Sequence, residues 1–260
     1  MRRLPFLLSP DSDAEFPPGG QALADPDGLL AIGGDLTPPR LLNAYRHGIF
    51  PWPSDGYPLL WWCPDPRTVF RTDGVRLSSR FRRGLRRCDW TVRADTAFEA
   101  VMSACAQAPR PGQDGTWISD EMLQAYAEMH RLGHAHSVEV YDGEELAGGI
   151  YGIAIGRMFY GESMFSGRSG GSKVALAALA HCLHRWGWPL LDAQVENPHL
   201  LSLGAITLPR GLFLARAGEL AAQPGFAPGS WTARFGEMRA AQLAEPPPAP
   251  SPAAPQRRPD

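Results

Sequence analysis

Cysteine is scarce and scattered in this chain. Cys63, Cys88, Cys105 and Cys182 form no Cys-x-x-Cys pair. Metal-ligand spacing and a disulfide framework are therefore both missing, and buried, reduced thiols are expected. Long apolar runs are absent too, which leaves no candidate for a bilayer-spanning helix. The opening stretch, Met1-Arg2-Arg3-Leu4-Pro5-Phe6-Leu7-Leu8-Ser9-Pro10, is basic and then apolar like a secretion signal. Pro5 and Pro10 cut it short and acidic residues follow, so a cytoplasmic protein is expected. Gly167-Arg168-Ser169-Gly170-Gly171-Ser172-Lys173 precedes a helix and could cradle an anion there. It does not match a P-loop, in which four residues separate a glycine from Gly-Lys-Ser/Thr. His130, His134 and His136 have no accompanying carboxylate motif, and Gly133 ends the helix between the first two, so no metal is expected. No cofactor is called for, and no side chain stands out as a covalent catalyst.

Lysine is almost absent as well: Lys173 is alone beside 24 arginines. An apolar content of 44% with 20% charged residues is that of an ordinary globular protein, and the net charge is only −2. The arginines are unevenly spread. Arg71, Arg76, Arg80, Arg82, Arg83, Arg86, Arg87 and Arg93 lie in one stretch opposed by Asp73 and Asp89, a local charge of +6. Guanidinium groups pair with phosphate in two-pronged fashion, so this stretch suits a polynucleotide backbone. A solvated arginine-rich face would give the same composition.

Residues 1–70 form a first unit, rich in Pro, Gly and Asp at its start. A helix follows Thr37 as N-cap, with Pro38 in its first turn and Gly48 as its stop. Prolines then impose irregular backbone around Trp52, Trp61 and Trp62. Residues 71–90 are a basic connecting segment. Residues 91–240 carry alternating helix and strand signals. Thr96-Ala97-Phe98-Glu99 reads as a capping box, helices are expected near 119–132 and 172–186, and strands at 136–142, 145–155, 157–165 and 190–195. The order implies an α/β (α+β) protein with a mixed β-sheet. Residues 241–260, most of them in a segment with seven prolines between Glu245 and Asp260, are expected to be a disordered tail.

Three groups of residues could carry chemistry. On strand 190–195, simple alternation puts Asp192 and Gln194 side by side on one face, as an ordinary solvent-facing strand also would. On strand 157–165 the same alternation puts Met158, Tyr160, Glu162 and Met164 on one face. That would be an adaptable apolar pocket with one anionic anchor for a substrate ammonium, or else a core carboxylate paired with an arginine. Trp52, Trp61, Trp62 and Trp117 are flat platforms on which an unpaired base could stack, although core packing is the commoner use of tryptophan.

Several segments together resemble the leucyl/phenylalanyl-tRNA–protein transferase family. They are Gly28-Leu29-Leu30-Ala31-Ile32-Gly33-Gly34-Asp35-Leu36, Ala44-Tyr45-Arg46-His47-Gly48-Ile49-Phe50-Pro51-Trp52 and Leu60-Trp61-Trp62-Cys63-Pro64-Asp65-Pro66-Arg67. Later come His134-Ala135-His136-Ser137-Val138-Glu139-Val140, Gly161-Glu162-Ser163-Met164-Phe165-Ser166, Leu191-Asp192-Ala193-Gln194-Val195 and Ser202-Leu203-Gly204-Ala205 before Pro209-Arg210. The resemblance implies a small N-terminal domain and a C-terminal GNAT-like acyltransferase domain. It implies transfer of leucine, phenylalanine and, less readily, methionine from aminoacyl-tRNA to proteins that begin with arginine or lysine, marking them for the N-degron pathway. On the matching positions it implies Asp192 and Gln194 as the catalytic pair. Trp52, Trp117, Tyr45 and Tyr126 would surround the aminoacyl-adenosine end. Glu162, with Met158, Phe159, Met164 and Ile150, would form the aminoacyl pocket. Arg80, Arg82, Arg83 and Arg87 would contact tRNA. Where many members carry an Asn-Ala-Ser-Lys-like sequence, this chain has Gly170-Gly171-Ser172-Lys173, matching at Ser172 and Lys173. In this reading Gln194 orients the attacking amine, Asp192 stabilises the developing charge, and a ribose hydroxyl or water passes the proton on. Two other readings are an acetyl-CoA-dependent transferase, whose pyrophosphate loop residues 167–173 do not supply, and a non-catalytic RNA-binding module.

Overall fold

The computed structural model describes residues 4–10, 16–53, 56–108 and 118–245. The chain opens with β1 (Phe6–Leu8), β2 (Leu29–Gly33), α1 (Pro38–Arg46), β3 (Phe50–Pro51) and β4 (Leu60–Trp62). Its four strands make a small sheet in the order β1-β2-β4-β3. Proline confines α1 to the expected place, but the cap differs from the simple signature. Thr37 donates its hydroxyl to Asp35 Oδ1 (2.6 Å) instead of capping the helix itself.

Next come β5 (Arg67–Arg71), α2 (Ser79–Leu85), β6 (Thr91–Ala94), α3 (Phe98–Gln107), α4 (Asp120–Arg131), β7 (Ala135–Asp142), β8 (Glu145–Ile155) and β9 (Met158–Ser166). The chain continues through α5 (Gly171–Arg185), β10 (Leu190–Gln194), α6 (Pro198–Ser202), β11 (Ile206–Leu208), α7 (Arg210–Ala222), α8 (Thr232–Phe235) and β12 (Met238–Arg239). Eight strands form one mixed sheet, ordered β11-β5-β10-β9-β8-β7-β6-β12. Every neighbouring pair is antiparallel except β9 and β10, whose connection runs through α5. Strand β5, at the end of the stretch assigned to the first unit, therefore belongs to the large sheet. The capping box is not formed either: Ala97 precedes α3, and the Thr96 hydroxyl donates to Glu139 (2.9 Å). Residues 79–85, expected to be connecting chain, form α2, with the Ser78 hydroxyl accepting from the Phe81 amide.

Alternation along the strands sends apolar residues into two layers. Val69, Ile153, Met158, Tyr160 and Leu190 pack on the side of α1, α3, α4 and α7. Phe70, Ile150, Phe159 and Leu191 pack on the side of α5 and α8. Of the irregularities that interrupt this pattern, two shape the ends of β9 and β10. Tyr151 pairs with Ser163 and Gly152 with Gly161, so Glu162 is an extra residue on β9. Gly152 has no room for a side chain there, because a Cβ would lie 2.1 Å from the Tyr160 carbonyl oxygen. The bulge reverses the facing of the residues after it: Phe165 joins the layer that holds Tyr160, and Met164 packs with the other. The expected common face of Met158, Tyr160, Glu162 and Met164 is therefore broken at Glu162. On β10 the register shifts between Asp192 and Gln194, and Gln194 takes a φ of 61°.

Residues 241–244 do not belong to a disordered tail. Ala240–Ala244 is a short 3-10 helix with Leu243 and Ala244 buried in the α5-side layer, and residues beyond 245 lie outside those described. Leu243→Ala should cost about 2–3 kcal/mol in a urea titration, the ordinary penalty for hollowing a core leucine. A solvated tail would give no change.

Candidate active site

Pairing between β9 and β10 ends at Tyr160–Asp192. Beyond it the two strands bulge and part, opening a cleft of about 450 Å³. Phe50, Trp52, Phe70, Ile150, Met164 and Leu176 give it apolar walls, and Glu162, Asp192, Gln194, Asn197 and His199 supply its polar groups. Openings at the carboxyl ends of parallel strands are where open α/β sheets take their ligands.

Asp192 is fully buried and bound two-pronged by Arg67, which is itself fully buried. Arg67 Nε donates to Oδ1 (2.8 Å) and Nη2 to Oδ2 (2.6 Å). Arg67 Nη1 donates to the Gly48 carbonyl (2.9 Å), and the guanidinium lies over the rings of Phe50 (4.7 Å) and Phe213 (4.4 Å). Asp192 Oδ1 also accepts the backbone N–H of Gln194 (3.0 Å). This is an Asx-type turn that holds Gln194 in its left-handed conformation, which otherwise costs on the order of 1–3 kcal/mol. The aspartate and glutamine thus do not stand as equal neighbours on a regular strand: one is locked beneath, and the other is turned by it into the cleft. Arg67 ends the Leu60–Arg67 motif, but composition does not reveal this role: β5 carries an arginine at each end, Arg67 buried and Arg71 exposed.

Gln194 Nε2 donates to Glu162 Oε1 (2.8 Å). Behind Glu162 stand two fully buried tyrosines. Tyr45 donates its hydroxyl to Oε1 (2.7 Å), Tyr126 donates to Oε2 (3.2 Å), and the two phenol oxygens also touch each other. Burial pushes the Glu162 carboxyl up to about 7, against the lowering hydrogen bonds of the tyrosines; Asp192 raises it further and the Gln194 hydrogen bond lowers it. Burial, with the Glu162 charge next, also drives both tyrosine hydroxyls well above their usual range.

Of the other residues singled out in the sequence, Trp52, Met164 and Ile150 line the cleft. Met158 and Phe159 do not. Met158 is buried in the α1-side layer, and Phe159 packs in the opposite layer, 5.7 Å from the Trp231 ring. Their positions precede the bulge, so they floor the sheet instead of its opening. Trp61 is core, packed edge-on against Phe16. Trp117 lies outside the described residues. Arg80, Arg82, Arg83 and Arg87 sit on and just after α2, and among the described residues none of them is in an ion pair. Arg80 lines a groove with Phe81, Trp90 and Lys173, and the Lys173 charge reaches His199 at the cleft, where burial first and Lys173 next lower the imidazole pKa. At the start of α5 the Ser172 amide is already taken by Ser166 Oγ (2.9 Å). Gly167-Arg168-Ser169-Gly170-Gly171 spells Gly-x-Ser-x-Gly, but Ser169 is exposed and hydrogen-bonds to no histidine or carboxylate among the described residues. His136 Nδ1 donates to the Asp95 carboxylate (2.9 Å) and the ring stacks on Trp231 (3.9 Å), away from the cleft.

Arg67→Met would leave the Asp192 carboxylate buried without a partner. An expected loss of about 3–5 kcal/mol by urea unfolding follows from that, and adding Asp192→Asn should restore more than half of it.

Comparison with known proteins identifies the family. The family model described as leucyl/phenylalanyl-tRNA protein transferase matches residues 69–218, and the model of that family's N-terminal domain matches residues 34–65. A leucyl/phenylalanyl-tRNA–protein transferase of Xanthomonas oryzae pv. oryzae (strain MAFF 311018) is 69% identical over 246 residues, covering 94% of this chain and 97% of its own. That of Xylella fastidiosa (strain 9a5c) is 60% identical over 243 residues, 94% of this chain and 100% of its own. Relatives this similar over nearly their full length leave one conclusion: the chain belongs to the leucyl/phenylalanyl-tRNA–protein transferase family, whose reaction is transfer of an aminoacyl group from tRNA to a protein.

Proposed function

We propose that the cleft accepts leucine, phenylalanine and, less readily, methionine esterified to tRNA, and joins it to the amino terminus of proteins that begin with arginine or lysine. Such proteins would thereby be marked for N-degron degradation in the cytoplasm. The observation that carries this reading is the meeting of an apolar pocket (Phe70, Ile150, Met164 and Leu176) with the linked polar side chains of Gln194 and Glu162 in one cleft. An adaptable apolar pocket separates side chains differing by one methylene by only about 1–3 kcal/mol, which suits an enzyme that takes several apolar residues. Trp52, half-buried at the cleft, is the platform for the terminal adenine.

The ester is already activated, so the protein's task is to hold an α-amine, with an ordinary pKa of about 7.7–8.0, against the carbonyl carbon. Gln194 spends its amide N–H on Glu162, which leaves its carbonyl oxygen to accept a hydrogen from the attacking amine. Asp192 carries a charge already answered by Arg67, so it acts through the turn it imposes on Gln194, not by stabilising charge on the amine. The α2 arginines, continued by Lys173 and His199 toward the cleft, form the track for the acceptor-stem and 3′-end phosphates.

Incubation with radiolabelled leucyl-tRNA and a peptide beginning with arginine should give labelled peptide, with Gln194→Ala reducing single-turnover transfer on the order of 100-fold. An unlabelled peptide would reject the reading. In a separate titration, neutralising Arg80, Arg82, Arg83 and Arg87 together should flatten the salt dependence of tRNA binding, by up to about 0.7–0.9 in log–log slope for each phosphate no longer neutralised. An unaltered slope would exclude these arginines from the tRNA contact.

A further inference from the structure

We propose that Glu162 is the proton carrier of the transfer step, and that Tyr45 and Tyr126 complete with it a ring of oxygens that has one open place for a proton. The proposal rests on the aminoacyl-transfer reading above and deepens it.

The ring follows from counting protons. Tyr45 Oη contacts Glu162 Oε1 (2.7 Å) and Tyr126 Oη, and Tyr126 Oη contacts Glu162 Oε2 (3.2 Å), which closes a circuit of three oxygen–oxygen contacts. With Glu162 ionised, the two phenols bring two protons to three contacts, and one contact sets lone pair against lone pair. With Oε2 protonated, each contact has its own proton: Oε2–H donates to Tyr126, Tyr126 to Tyr45, and Tyr45 to Oε1. Gln194 Nε2, which can only donate, holds Oε1 at 2.8 Å and fixes the rotation of the carboxyl group. Oε2 is left with the single long contact to Tyr126 and is the natural acceptor. The bulge on β9 puts this carboxyl at the cleft, while α1 and α4 supply the tyrosines from behind.

The charged and titratable groups around it are few. Asp192 on β10 disfavours the ionised carboxyl, Arg67 on β5 offsets Asp192, and His199 on α6 is on the far lining of the same cleft. Both phenols are held protonated by burial, so the carboxyl is the member of the ring that changes state.

In the reaction the amine nitrogen attacks the ester carbonyl carbon. As the C–N bond forms, one amine proton passes to Oε2. As the bond between that carbon and the ribose oxygen breaks, the same proton leaves Oε2 for the departing oxygen. Amide and ribose hydroxyl are the products, and Glu162 returns to its ionised form, so no proton is gained or lost. This gives the carboxylate work in the bond exchange itself, in place of anchoring an ammonium.

Glu162→Gln is the decisive variant. Its amide N–H can donate to Tyr126 as the protonated carboxyl does, so the ring is kept with a proton that cannot leave. With leucyl-tRNA and an arginine peptide at saturation, the single-turnover rate should fall on the order of 100-fold, while affinity for a non-reactive amide-linked leucyl-tRNA analogue stays within about threefold. Between about pH 6 and about pH 8 the wild-type rate should rise through two limbs, one set by the acceptor amine and one by Glu162. An acceptor with a less basic amine moves the first limb and leaves the second. In Glu162→Gln the stationary limb disappears. A Gln variant as fast as wild type, one that retains the stationary limb, or one that loses affinity while keeping its rate at saturation would each overturn the role of Glu162. An inactive wild-type protein would instead overturn the donor and acceptor assignment on which the role depends.

Discussion

A guanidinium and a carboxylate, both removed from water, face each other from adjacent strands of the large sheet, and the guanidinium also holds the Gly48 carbonyl of the first sheet's chain. Taking two charges out of water costs several kcal/mol for each, and mutual attraction returns that only when geometry and hydrogen bonding are nearly complete. Here they are. Arg67 reaches both oxygens of Asp192 and the Gly48 carbonyl, with Phe50 and Phe213 over its faces. What the pair contributes is register more than net stability. It fixes where β10 stops being a strand, and the carboxylate then supplies the acceptor that holds Gln194 in its turned conformation.

The second constraint is the point at which two parallel strands part. A sheet with one parallel pair among antiparallel neighbours needs a long crossover, provided here by α5, and nothing in the ladder obliges the pair to stay joined to its ends. Extra residues on both strands end the pairing, and the resulting gap is lined by side chains from β3, β5, β8, β9, α5, β10 and α6, with the tyrosines of α1 and α4 behind Glu162. The same β9 bulge sorts those side chains, sending Glu162 to the tyrosines of one layer and Met164 to the apolar wall of the other.

Much of this was readable beforehand. Strong periodicity and capping residues placed α1, α4, α5, β7 and β8 to within a residue or two, since the irregularities inside the two strands do not move their ends. What failed did so where a long-range partner displaced a local one. Asp35 took the hydroxyl of Thr37, and Glu139 took that of Thr96. Alternation misplaced Met164 relative to Glu162, and Asp192 relative to Gln194, because a bulge costs one residue and leaves no mark in composition. Arg67 was invisible as a partner, since its carboxylate lies 125 residues away and no rule of spacing spans that distance. Leu243 was hidden by the prolines that come after it.

Strand β5 lies between β10 and β11, both drawn from the last third of the chain. Its neighbours on either side are thus synthesised more than a hundred residues after it. During translation Arg67 and the apolar run behind it must wait, unpaired, until residues 190–208 have left the ribosome. Contacts of such sequence separation form late and slowly. The cleft is accordingly among the last parts of the molecule to come into being, and a nascent chain interrupted before that point holds tyrosines and a carboxylate with no cleft to serve.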